Sequence, residues 1–93
     1  MLILQGEVDY LSFTNSGELV ERIELSDYHS GCSFFQMTPP GLYHSLIIKT
    51  RWLIFIEVTG GPFRKSDSNF APWSPEDNDT VGIEHFLERI RTL

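Results

Sequence analysis

The residue best placed for chemistry is a histidine that follows a rigid corner, Thr38-Pro39-Pro40-Gly41-Leu42-Tyr43-His44. Two prolines fix φ, Gly41 can take the positive φ of a tight turn, and the apolar residues after His44 resume extended pairing. Such a corner aims one imidazole in a set direction. Imidazole is a common ligand for divalent metals, here zinc, iron, manganese or nickel. A catalytic centre needs about three protein ligands. The plainer reading of a single histidine is an imidazole hydrogen-bonded in a polar cavity.

Other reactive side chains are scattered. Glu57 is a carboxylate in the apolar run 52–58, so it must be paired, solvated or shifted upward in pKa. It could bind metal or act as a base, and an ion pair with Arg51 or Arg64 is an equal expectation. Tyr43 beside His44 is expected, with Glu57, to line a pocket, and Trp52 and Phe55 fall near the same mouth or interior. Aromatic residues at strand spacing are more often core than ligand cage. His29 and His85 read as surface or packing residues. Cys32 reads as a small buried hydrophobe, because a catalytic thiol needs a base beside it.

The elements that must hold these residues are short strands. Residues 2–4 begin the chain as a strand, Gly6 bends it, and residues 7–13 alternate Val8, Tyr10 and Ser12 with Asp9, Leu11 and Phe13. Asn15-Ser16-Gly17 is a hairpin signal, and residues 19–25 return antiparallel. A polar loop over 26–31 leads to an aromatic strand over 32–37, and the corner opens a strand over 44–48. The continuous apolar run 52–58 predicts the centre of the sheet. Residues 59–79 read as a loop in which Phe63, Phe70 and Trp73 pack back on the strands. The segment 70–73 then either covers a pocket or staples the helix to the sheet, the second being favoured. From Thr80 the period becomes helical, with Ile83, Phe86, Leu87 and Ile90 on one face, Asp79 or Thr80 as cap, and Arg89 and Arg91 near the C-terminus.

Composition bounds the rest. Ninety-three residues with 41% hydrophobic and 13% aromatic side chains predict a single domain over residues 1–93 with a small packed core. A net charge of -6 and dispersed basic residues argue against nucleic acid as a partner. The lone cysteine fits a reducing compartment. No apolar run approaches membrane-spanning length, and the first residues lack the basic flank of a signal peptide. The expectation is a cytoplasmic protein that does not engage membranes.

Pro39, Gly41 and His44 resemble the second conserved motif of the cupin superfamily, whose fold is a double-sheet jelly roll. Phe55-Ile56-Glu57-Val58, Gly61-Pro62-Phe63, Asp67 and Phe70-Ala71-Pro72-Trp73-Ser74-Pro75 narrow the likeness to the WbuC-like cupin-fold metalloproteins. The resemblance implies an all-β jelly-roll barrel or sandwich, N-terminally truncated, with a short C-terminal helix. In cupins a His-x-His pair and a glutamate precede the glycine matched by Gly6, and here they would fall before Met1. Only His44 carries over as a metal ligand. The resemblance also implies that barrel-closing strands are missing, which predicts a homodimer through an exposed sheet edge.

Two functions follow as expectations. One is a metal-dependent enzyme acting on a small molecule, sugar-derived because WbuC-like members accompany surface-polysaccharide gene clusters. The other is a metal-free binding or assembly domain. Fold does not choose between them.

Overall fold

Glu7–Phe13 is the strand around which the chain is built. In the computed structural model, which describes residues 1–39, 41–60 and 70–93, this strand (β2) lies between β3 (Leu19–Ser26) and β4 (Tyr43–Ile48) in an antiparallel sheet. Both of its faces are buried. Val8 and Tyr10 join Ile3 and Leu25 on one side, while Leu11 and Phe13 join Ile90 on the other. The period of two in its sequence thus separates two cores rather than core from solvent.

The first core is covered by a second antiparallel sheet, β1 (Leu2–Gln5) paired with β5 (Ile54–Ile56). Met1, Ile23, Leu46 and Leu53 complete it. The second core lies under the helix α1 (Thr80–Thr92), where Phe86, Trp73, Tyr43, Ile47 and Leu19 surround Leu11, Phe13 and Ile90. The layers are therefore two-stranded sheet, three-stranded sheet and helix. This bears out the mostly β chain with one short C-terminal helix.

Local chemistry accounts for the elements. Residues 14–18 close the β2–β3 hairpin, with Glu18 O accepting from Thr14 N at 2.9 Å, and a bulge at Val20 shifts the register between Ser12↔Glu21 and Phe13↔Leu19. Asp79 caps α1 by accepting from Gly82 N at 3.0 Å. Arg22 on β3 donates to the Ile90 carbonyl, so the helix end is tied to the sheet. No helix among the described residues is long and apolar enough to cross a membrane.

Three expectations are corrected. The run 52–58 is not the sheet centre: only Ile54–Ile56 is strand, it pairs with β1 alone, and these residues are 49%, 39% and 48% exposed. A continuous apolar run says that both faces are apolar, but not what covers them; β2 holds the centre because it has a layer on each side. Residues 32–37 form two isolated bridges, Leu2↔Phe35 and Leu25↔Ser33, instead of a strand. They hydrogen-bond along β1, Ile3 N to Phe34 O at 2.8 Å and Gln36 N to Met1 O at 2.9 Å, and β1 is too short to extend the ladder. Cys32 is exposed rather than buried. The expected packing of Phe63 lies outside the described residues.

A buried charge ties the sheet together. Asp9 faces the helix side of β2, opposite Glu24 on β3, an arrangement that repels. Lys49, just past β4, places Nζ 3.3 Å from Asp9 and 3.8 Å from Glu24, with Arg22 at 4.0 Å from Asp9. The Asp9 carboxylate, by its close approach and its negative charge, holds the Lys49 ammonium above its usual pKa. A raised amine pKa stabilises the folded chain in full below the ordinary lysine value of 10.5 and ceases to do so as pH rises through the higher folded value. The difference in urea midpoint between the native chain and Lys49→Met is therefore expected to be constant up to about pH 10 and to shrink above it. A difference unchanged to about pH 12 would contradict this pairing.

Candidate functional site

Ahead of β4, Gly41 takes the positive φ expected of the turn, +84°. From it β4 runs antiparallel to β2 with Phe13↔Tyr43 and Ser12↔His44. Neighbouring strand residues point to opposite faces. Tyr43 accordingly joins the helix-side core, its ring 5.8 Å from Trp73 in a T-shaped pair. His44 shares the other face with Tyr10, on which it stacks at 5.8 Å with 19° between planes. It is nonetheless exposed.

Around this strand start lies a groove of about 740 Å³. Its floor is aromatic, formed by Phe13, Tyr43, Trp73 and Phe86. Trp73 organises them: it meets Phe13 edge-on at 5.1 Å and stacks on Phe86 at 6.2 Å, and its indole N–H donates to Asn15 O at 2.9 Å. Helix residues Ile83 and Leu87 form one wall, and residues 70–75 another. His44, Ser45, Ser74 and Asp77 supply the polar lining. The segment 70–73 does staple helix to sheet through Trp73, while Phe70 stands exposed at the groove.

Tyr43 and His44 both border this groove, the Tyr43 ring on its side of the sheet and the His44 ring turned to the opposite face on Tyr10, and Glu57 lies outside it. Glu57 is exposed beyond the end of β5 and has no ion-pair partner among the described residues, so Arg51 does not neutralise it; Arg64, its other expected partner, lies outside the described residues. Trp52 is largely exposed and Phe55 partly so. His29 sits exposed in the 3-10 turn Tyr28–Ser30, and His85 is exposed on α1.

Sequence reasoning missed two features. Asp77 was an ordinary loop acid until the fold placed it at the groove. Ser12, opposite His44, is buried with no hydrogen-bond partner for its hydroxyl among the described residues. Near it on the same strand face, the Tyr10 hydroxyl donates to Thr38 Oγ1 at 2.8 Å. The alternation of Tyr10 and Ser12 in β2 marked that face, but their partners come from distant segments.

His44 is a single donor where a metal centre needs about three. No group of three or more His, Cys, Asp or Glu side chains able to hold a metal occurs among the described residues. The described residues therefore supply no complete donor set for a zinc, iron, manganese or nickel centre.

Comparison with protein-family models, with curated proteins and with solved structures gives no match to this chain.

Proposed function

We propose that this chain is a small-molecule-binding domain on a cupin-like jelly-roll scaffold, and that its ligand is sugar-derived and occupies the groove beside Tyr43 and His44. The observation that carries the proposal is the groove itself, about 740 Å³ with an aromatic floor and a few polar groups. Ligand sites have that size and that balance of surfaces. A sugar ring suits it because one face is rich in C–H groups and gains by covering an aromatic ring, while its hydroxyls need polar partners. Tyr43 and Trp73 offer the rings. Ser45, Ser74 and Asp77 offer the partners.

Binding of this kind requires no metal.

Titration with free hexoses and nucleotide-activated sugars, followed by amide and indole NMR shifts, tests the reading. Saturable shifts are expected at Tyr43, His44 and the Trp73 indole, with affinity falling about tenfold in Tyr43→Ala through loss of one stacking ring. Absence of saturable shifts, or shifts confined to other surfaces, would overturn it.

A further inference from the structure

We infer that two copies of this chain pair antiparallel through β5, with a twofold axis at Ile54. The edge of β5 away from β1 has no strand partner among the described residues, and the strand itself carries no charge. Native edge strands are normally protected by charges, prolines or bulges. Here the apolar character extends from Trp52 through Ile56, and Trp52, Ile54, Phe55 and Ile56 are all substantially exposed.

A second copy is the occupant because the run is self-complementary in charge. Its order is Arg51-Trp52-Leu53-Ile54-Phe55-Ile56-Glu57, one cation, five apolar residues and one anion. Antiparallel pairing about Ile54 sets Arg51 opposite the partner's Glu57, Trp52 opposite the partner's Ile56 and Leu53 opposite the partner's Phe55. By symmetry each charge pair occurs twice. Neither Arg51 nor Glu57 has an ion-pair partner among the described residues of the single chain, and both are exposed. Opposite charges facing across an antiparallel pair stabilise it, and like charges there oppose it. A one-residue shift of register would set Arg51 opposite Val58 or Ile56 and lose the direct match. The product is a continuous four-stranded sheet, β1-β5-β5-β1, whose added backbone hydrogen bonds supplement the buried apolar surface. It differs from the groove in location and needs no ligand.

Sedimentation velocity over a concentration series provides the test. The native chain is expected to dimerise reversibly. Arg51→Glu and Glu57→Arg should each raise the dissociation constant by about tenfold or more, since each turns two attractions into two repulsions. The double variant R51E/E57R should return it to within about threefold of native. Ile54→Lys should abolish the dimer while far-UV circular dichroism keeps its native shape. A chain that stays monomeric up to about 1 mM, a dimer indifferent to the single reversals, or a double variant no better than the singles would overturn the assignment.

Discussion

Gly6→Ala is expected to destabilise the chain by about 2–4 kcal/mol, seen as a lower urea midpoint with little change in slope. Two independent costs combine at this position. Gly6 has φ +106°, where an L side chain is strained by about 1–3 kcal/mol. The added methyl would also strike the Trp52 carbonyl and lie 2.8 Å from Thr50 Oγ1 and 3.2 Å from Leu53 Cα. The Trp52 carbonyl already accepts a hydrogen bond from Thr50 Oγ1 at 2.7 Å, and that hydroxyl accepts in turn from Glu7 N at 3.1 Å. These atoms have little freedom to retreat. Gly6 is the corner where the chain passes from β1 in one sheet to β2 in the other, so the strain falls on the contact between sheets. A loss below about 0.5 kcal/mol would mean that residues 50–53 do not approach this corner as described.

That corner was legible in the sequence, where a glycine between two extended runs marks a bend. The β2–β3 hairpin, β4 and α1 were legible for the same kind of reason: Asn15-Ser16-Gly17, Pro39-Pro40-Gly41 and the Asp79 cap are local signals that need no knowledge of the rest of the chain. Burial was not local. Residues 52–58 are more apolar than residues 7–13, yet the latter are enclosed because β3 and β4 flank them and the two other layers cover them. Glu57 was read as a carboxylate held inside an apolar strand, but β5 stops at Ile56 and leaves it in solvent. Tyr43 and His44 were identifiable as neighbours behind a corner. That a groove would join them to Trp73, Asp77 and Phe86 depends on where residues 70–77 return, which no short-range pattern encodes.

Trp73 is where that return is made secure, and its replacement by alanine is expected to cost about 3 kcal/mol. The indole touches both layers of the helix-side core: Phe13 on β2, Tyr43 on β4 and Phe86 on α1. Gly17 packs against its face, so the hairpin turn belongs to the same contact. Trp73→Phe separates packing from hydrogen bonding. It keeps a ring among the aromatic residues but removes the N–H that donates to Asn15 O, and is expected to cost about 1 kcal/mol. Both losses are read from urea unfolding at neutral pH. If alanine and phenylalanine cost the same, the hydrogen bond and not the aromatic cluster holds residues 70–75 to the sheet. The larger loss with alanine would place the stability of the groove in its floor, in the rings proposed to meet the ligand. Affinity and stability would then rise and fall together across substitutions at Trp73, whereas Tyr43→Ala, at the border of the cluster, should lower affinity more than stability.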